Sequence, residues 1–275
     1  MSFAVRAGLA MALAVTAHAA RADDWIDDLL SNSRFVVGTL VRNNPEYTGS
    51  NRRSTSLAPV LAYEYGRIRL SASGASSILD FGLDTRGPGL TASIIDSSKV
   101  KLGFGLRFDS GRKSSDSIDL SGFEDIRRTL RGRAYASYDI DARWSLAGTV
   151  SQDLLGRRGG ALASTDVGYR LPLGRDTVAT FGIGANWADA QRMRSYYGVT
   201  ETDSTRSGLP VFRPDAGLLD LHAGAGITTA FTPRWIGFAS VGGARLQSEA
   251  AASPLTRNPS SVSLAIGLAY RCCKP

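Results

Sequence analysis

The chain has 275 residues, a formal net charge of +7 and 30 glycines. Its basic residues are scattered and form no run of the kind that follows a phosphate backbone, so nucleic acid is not a predicted partner. Its two cysteines, Cys272 and Cys273, are adjacent, and neighbouring cysteines cannot join distant segments, which excludes a disulfide-stapled fold.

The chain begins with the pattern of an export signal. Arg6 precedes the apolar run of residues 7–17, and Ala20-Arg21-Ala22 fits the small-x-small rule for cleavage. The run is too short for a transmembrane helix, which needs about 20 apolar residues. We therefore predict a cleaved signal peptide over residues 1–22 and a periplasmic N-terminal segment over residues 23–33, where residues 23–31 would make a short amphipathic helix.

The rest of the chain alternates between apolar and polar residues with a period of two, which predicts strands with two unlike faces. In residues 100–108, for example, Phe104 and Leu106 share one face, and Gly105 and Arg107 share the other. This pattern predicts twelve strands, over residues 35–42, 57–65, 67–72, 78–84, 100–108, 130–140, 144–153, 162–171, 178–187, 218–231, 235–246 and 261–271.

Two further features indicate a membrane barrel. The second face is mostly Gly, Ser, Arg and Asp, which cannot pack a dry core, and the connections alternate between short and long. Residues 84–98 are an exception, being long where a short turn is due. An open sheet edge would leave backbone groups unpaired in hydrocarbon, so the sheet must close. We predict an all-β, transmembrane, antiparallel up-and-down β-barrel over residues 34–271, of twelve strands with ten as the alternative, and a tail over residues 272–275.

Charged side chains are predicted to face the lumen of this barrel. They are Arg67, Arg69, Lys101, Arg107, Arg131, Arg133, Asp166, Asp220 and Arg245. Mixed signs at this density favour salt-bridged networks that fill the interior, because unpaired charges in a narrow lumen are costly. The alternative is a weakly anion-selective pore.

Catalysis is not predicted. His222 is the one histidine after the leader, and alternation places it on the same face as Asp220. No G-x-S-x-G motif is present, nothing in the sequence brings a serine to His222, and no spacing fits a metal site. We predict no catalytic residue, cofactor or metal.

The predicted loops carry an ordered set of motif residues. They are Pro45, Tyr47, Gly49 and Ser50 after the first strand, Gly111, Arg112 and Gly122 after the fifth, and Ser253 and Pro254 before the last strand. The largest group runs from the end of the ninth strand to the start of the tenth, and consists of Trp187, Tyr196, Tyr197, Gly198, Val199, Ser207, Gly208, Leu209, Phe212 and Gly217. This set resembles the MltA-interacting protein (MipA/OmpV) family over nearly the whole mature chain. We expect these residues to fold the long loops, with contact to a ligand as the alternative.

The resemblance implies an outer-membrane protein without a known active site. Such proteins are regarded as scaffolds that bring a lytic murein transglycosylase together with a penicillin-binding protein, and some relatives are associated with adhesion or small-molecule permeation. Lipid of the outer membrane and the barrel-assembly machinery would be further partners. Family members typically end with an aromatic residue two positions after the last tyrosine, whereas Cys272 stands two after Tyr270 here. We predict a scaffold, with a narrow channel or an adhesin as the alternative.

Overall fold

A computed structural model describes residues 35–65, 67–72 and 89–272 of the chain. Within these residues, twelve antiparallel strands form one closed barrel, in which each strand pairs with its neighbours in sequence and the last pairs with the first. The strands are β1 Phe35–Pro45, β2 Arg53–Tyr65, β3 Ile68–Ala72, β4 Gly89–Asp96, β5 Val100–Asp109, β6 Thr129–Asp139, β7 Trp144–Asp153, β8 Ala161–Pro172, β9 Thr177–Ala188, β10 Gly217–Ala230, β11 Trp235–Leu246 and β12 Ser260–Cys272. The predicted twelve-stranded barrel is confirmed.

The two faces of the strands are inverted relative to those of a soluble protein. On β5, Phe104 and Phe108 are 58% and 62% exposed on the outer face, while Arg107 between them is 7% exposed on the inner face. Alternating side chains point to opposite sides of a strand, so this pattern turns the apolar row outward and the polar row into the lumen.

The predicted position of the fourth strand is wrong. The strand that pairs with both β3 and β5 is Gly89–Asp96, and residues 78–84 lie outside the described residues. A register shift between Ser93 and Ile95 puts an extra residue into β4, and both Ile94 and Ile95 are exposed. A bulge of this kind breaks the period of two, which hid the strand. The β4–β5 connection is then residues 97–99, a short turn, and the exception at residues 84–98 disappears.

Connections of two kinds define the two ends of the barrel. The turn rim has the short connections 66–67, 97–99, 140–143, 173–176 and 231–234, and the loop rim has the long connections 46–52, 110–128, 154–160, 189–216 and 247–259. The loop rim also carries three short α-helices, α1 Ala190–Tyr197, α2 Glu201–Ser207 and α3 Ser248–Ala252. In the described part of the chain, no helix is both long enough and apolar enough to cross a membrane.

The first residue of β1 and the last residue of β12 meet on the turn rim. Phe35 of β1 pairs with Cys272, so Cys272 belongs to the last strand and not to a tail. The predicted signal peptide over residues 1–22, the predicted segment over residues 23–33 and residues 273–275 all lie outside the described residues.

Candidate functional site

A packed layer covers the loop rim. We call it the lid, and it consists of residues 46–52, 110–128, 189–216 and 247–259. One buried cluster takes a side chain from every one of these connections, namely Tyr47, Leu120, Phe123, Val199 and Leu255. A second cluster joins α1 and α3 to the strand ends below, through Leu162, Ala188, Met193, Tyr197, Leu219, Leu246 and Ala250. Fully burying one aliphatic side chain contributes roughly 1.5–3 kcal/mol, so the clusters make the lid part of the folded barrel and not a set of free loops.

Hydrogen bonds from side chains to backbone carbonyls cross between the connections of the lid. They run from Tyr47 Oη to Leu255 O at 3.0 Å, from Ser253 Oγ to Tyr197 O at 2.6 Å, and from Arg112 Nη1 to Tyr196 O at 2.7 Å. Since each of these bonds joins connections that are far apart in sequence, the four connections cannot open independently.

Local backbone geometry explains two of the motif glycines. Gly111 has φ of 69°, and a Cβ there would collide with the Ile126 carbonyl. The neighbouring Arg112 N–H donates to that same carbonyl at 3.1 Å. Gly208 has φ of 75° and ends α2, where its N–H donates to Ser204 O at 2.8 Å. Only glycine adopts this left-handed region without strain, so both positions favour glycine.

The centre of the lid contains an un-ionised phenol. Burial, together with the nearby Asp119 carboxylate, raises the pKa of Tyr47 to about 12. Asp119 lies between two guanidinium groups, with its carboxylate oxygens 3.6 Å from Arg52 Nε and 3.7 Å from Arg257 Nε. Burial also lowers the pKa of Arg112. These groups hold the lid together at ordinary pH.

Arg131 fastens the 154–160 connection to the barrel wall. Its guanidinium donates to Gly159 O at 2.9 Å, to Gly160 O at 3.0 Å and to Ser151 Oγ at 3.1 Å. Asp109 lies 3.8 Å from Arg131 and also 3.8 Å from Arg192 of α1. Arg131 therefore links β6 to β5, β7 and the 154–160 connection, and it reaches the lid through the Asp109 carboxylate that it shares with Arg192.

Beneath the lid, a charged network crosses three strands of the inner wall. His222 Nε2 lies 2.8 Å from Asp166 Oδ1, and its Nδ1 lies 3.0 Å from Asp220 Oδ1. Only an imidazolium donates from both of its ring nitrogens. The two carboxylates, one at each ring nitrogen, therefore fit a protonated His222. Asn186 Nδ2 donates to both oxygens of Asp220, at 3.0 and 3.1 Å. A side chain at Gly184 would occupy the space of the His222–Asp166 contact.

The other predicted lumen charges occupy different environments. Arg107 is buried on the inner face, and Lys101 Nζ lies 3.9 Å from Asp139 Oδ2 near the turn rim. Arg69 is also on the inner face, and Arg67 lies in the β2–β3 turn, where its Nη1 donates to Ile94 O at 3.2 Å. Arg133 makes no hydrogen bond or ion pair with a described residue.

The prediction that Arg245 faces the lumen is wrong. Arg245 alternates with Trp235 and Val241, which are exposed on the outer face, whereas the next residue, Leu246, is buried beneath the lid. Arg245 lies at the end of β11 on the loop rim, next to the turn into residue 247. A charged side chain is tolerated on the outer face at that height because it lies at the membrane boundary.

One part of the lumen is apolar, which sequence reasoning missed. Leu40, Ala58, Val60, Phe238 and Ala269 form a buried cluster on the inner faces of β1, β2, β11 and β12. The sequence does contain a signal for this cluster, because Phe238 alternates with Trp235, Gly237 and Ala239, which face outward. Its ring fills the space beside Gly267, where a Cβ would collide with it.

The structure brings most of the family-motif residues to the lid and its margins. Pro45 and Gly217 lie at strand ends, Gly198 and Gly208 end the helices α1 and α2, and Ser207 is the last residue of α2. Val199 forms a backbone bridge with Phe212, and Phe212 and Leu209 pack against the first lid cluster. Gly49, Ser50, Gly122, Ser253 and Pro254 lie in the lid connections. Trp187 differs, because its side chain is exposed on the outer face of β9.

Comparison with known proteins identifies the family. Residues 37–272 match the family model described as MltA-interacting protein MipA. The chain belongs to the MipA family. The match and the closed barrel with its apolar outer face make this MipA-family protein an outer-membrane barrel. Short turns of such barrels are periplasmic and long loops extracellular, so the turn rim faces the periplasm and the lid faces outward.

Three solved structures are similar to the MipA-family chain in fold and distant in sequence. The KdgM porin is 8% identical, with a TM-score of 0.44 and coverage of 86% of this chain and 99% of that one. A bacterial polysaccharide outer membrane secretin is 8% identical, with a TM-score of 0.44 and coverage of 88% and 99%. An anion-selective porin from Comamonas acidovorans is 10% identical, with a TM-score of 0.39 and coverage of 86% and 99%. None of them bears on what this barrel binds. No curated protein sequence matches the chain.

Proposed function

We propose that this MipA-family barrel is a non-catalytic scaffold of the cell envelope that binds a lytic murein transglycosylase at its periplasmic turn rim and brings it to a penicillin-binding protein. The family name, MltA-interacting protein, supports the first partner. The observation that carries the proposal is the lid, whose buried clusters and cross-links join four long connections at the outer mouth of the barrel. A barrel with packed connections at its outer mouth is suited to holding partners in the periplasm and poorly suited to free diffusion of solutes.

The lumen network supports a structural role for its charged residues. The described ring contacts of His222 are two carboxylates and an amide, and no hydroxyl or thiol is among them. Ser151 hydrogen-bonds instead with Arg131. A nucleophile within reach of the histidine is what acyl-transfer chemistry would require.

A binding titration with purified components tests the scaffold. The barrel is reconstituted in lipid nanodiscs and titrated with a lytic transglycosylase of the same organism. We expect saturable binding that is lost when the β8–β9 turn is replaced by Gly-Ser, and unchanged when Val211 at the exposed surface of the lid is replaced by Ser. Failure of the transglycosylase to bind, or equal loss from both replacements, would contradict the proposal.

A narrow channel is the second candidate, and Arg133 is the observation that favours it. This inward-facing arginine is without a described partner, so it is available to a passing anion. For a channel, planar-bilayer recordings would show stepwise conductance with anion preference, and Arg133→Gln would reduce that preference. We expect the intact barrel to show no such steps while the lid is closed.

A further inference from the structure

Two turns of the periplasmic rim share one construction. We call them the Arg–Trp turns, and they are residues 140–144, with the sequence Ile-Asp-Ala-Arg-Trp, and residues 231–235, with the sequence Phe-Thr-Pro-Arg-Trp. In each turn the first residue donates its N–H to the tryptophan carbonyl, at 2.9 Å in both cases. The remaining turns of this rim have no tryptophan.

The second residue of each Arg–Trp turn holds the turn in shape. Asp141 Oδ1 accepts from the N–H groups of Arg143 and Trp144, at 2.7 and 2.8 Å. Thr232 Oγ1 accepts from the equivalent N–H groups of Arg234 and Trp235, at 3.2 and 3.0 Å. The arginine side chains take no part in these bonds, so the turn keeps its backbone shape without them.

Each Arg–Trp turn places an aromatic pair at the boundary of the membrane. The ring centroids of Trp144 and Tyr169 are 4.7 Å apart, and those of Trp235 and Tyr270 are 5.2 Å apart. Trp144 and Trp235 are both exposed on the outer face. Tryptophan and tyrosine at the end of a membrane-spanning strand lie at the level of the lipid headgroups.

A second arginine pairs through its backbone with each Arg–Trp turn. Arg170 donates its N–H to Arg143 O at 2.8 Å, and Arg271 donates its N–H to Arg234 O at 2.7 Å. Arg170 and Arg271 alternate with the outward Tyr169 and Tyr270, so their side chains face the lumen. The charge available to the lipid in each turn is therefore that of Arg143 or Arg234, and neither forms an ion pair within the described residues.

The side chain of Arg234 reaches toward the lipid. Its Nη1 lies 3.4 Å from the Tyr270 hydroxyl, and Tyr270 belongs to the outward row of β12. A guanidinium and a phenol hydroxyl at headgroup depth are donors suited to a phosphate oxygen, and guanidinium groups bind phosphate through paired N–H groups.

We propose that each Arg–Trp turn binds the phosphate of an anionic phospholipid in the periplasmic leaflet. The tryptophan–tyrosine pair packs against the glycerol region of the lipid, and the arginine of the turn, Arg143 or Arg234, neutralises the phosphate. The surface faces lipid by its position, and its charge is complementary to an anionic headgroup. The two turns thus hold the barrel at a fixed depth and give its periplasmic rim a shell of anionic lipid.

The test counts lipids bound to the intact barrel. The full protein, purified from membranes and delipidated in detergent, is mixed with phosphatidylglycerol or phosphatidylcholine of identical acyl chains, and retained lipids are counted by native mass spectrometry. We expect one tightly held phosphatidylglycerol per Arg–Trp turn, and weaker retention of phosphatidylcholine. The double variant Arg143→Gln, Arg234→Gln is expected to lose this preference, with affinity falling about fivefold for each arginine.

Arg175→Gln is the matched control. Arg175 lies in the β8–β9 turn on the same rim and is exposed, but Thr177 and not tryptophan begins the following strand. We expect this variant to retain phosphatidylglycerol as the unaltered protein does. Equal retention of the two lipids by the unaltered protein would overturn the proposal. So would an equal loss from Arg175→Gln, because the attraction would then come from the charge of the whole rim.

Discussion

The hydroxyl of Tyr47 donates to the carbonyl oxygen of Leu255 at 3.0 Å, across 208 residues of sequence. This bond joins the first connection of the lid to the last one, and both side chains belong to the same buried cluster. β1 also pairs with β12, so the first and last parts of the barrel sequence are joined both in the lid and in the barrel wall. Folding of the lid and closure of the barrel are thus coupled.

The lid should loosen in alkali through Tyr47. Its pKa is raised from 10.0 to about 12 in the folded protein, so the unfolded lid loses the phenol proton first as the pH rises. The contribution of Tyr47 to stability is complete below pH 10 and is lost between pH 10 and about 12. Tryptic cleavage at Arg127 and Arg128 in the lid should accelerate over this range, after each rate is corrected for the activity of trypsin at that pH. Tyr47→Phe should remove the pH-dependent step, and an unchanged step in that variant would contradict the assignment.

Gly111→Ala should open the lid more than Gly156→Ala does. Both glycines have positive φ, but a Cβ at residue 156 meets nothing within 4 Å, whereas at residue 111 it meets the Ile126 carbonyl. The left-handed backbone alone costs an alanine roughly 1–2 kcal/mol, and the collision at residue 111 adds to that cost. The rate of tryptic cleavage in the lid measures both. Equal rates for the two variants would show that the Ile126 carbonyl moves away freely.

His222→Gln should destabilise the barrel by about 3–5 kcal/mol, because it leaves two buried carboxylates without their cation. Adding Asp166→Asn to that variant should recover part of the loss, since one of the unpaired charges is then removed. Urea unfolding of the single and double variants in detergent, followed by tryptophan fluorescence, gives the coupling energy. Additive losses would mean that His222 and Asp166 do not interact.

Arg131 and Arg133 should respond differently to neutralisation. Arg131→Gln removes the bonds to the 154–160 connection and the ion pair with Asp109, which also pairs with Arg192 of the lid, so the lid should become sensitive to protease. Arg133→Gln removes a charge with no described partner and should leave the lid closed. Proteolysis of the two variants under the same conditions compares them. A lid that opens equally in both would disprove the specific anchoring role of Arg131.

Alternation along single strands was enough to predict the barrel. Phe104 and Arg107 show why, because a strand that turns phenylalanine outward and arginine inward has no other stable surroundings than lipid and a polar lumen. The same rule failed at β4, where an extra residue between Ser93 and Ile95 breaks the period. At Arg245 the prediction of a lumen position disagrees with the alternation of β11, which puts this residue outward with Trp235 and Val241.

The candidate site could be predicted only in part. The family motifs located the lid connections, but the contact between His222 and Asp166 depends on the pairing registers of β8, β9 and β10. Those registers are set by interactions between neighbouring strands, which cannot be read from the sequence of one strand alone. The bond from Tyr47 to Leu255 depends in the same way on closure of the whole barrel.

The most direct test of the scaffold is photo-crosslinking in living cells from two surface positions. The crosslinking amino acid replaces Leu173 in the periplasmic β8–β9 turn or Val211 on the lid, both of which are exposed. We predict that the Leu173 position captures a lytic transglycosylase or a penicillin-binding protein, identified by mass spectrometry, and that the Val211 position captures neither. Recovery of only the assembly machinery and abundant outer-membrane proteins from Leu173 would contradict the scaffold.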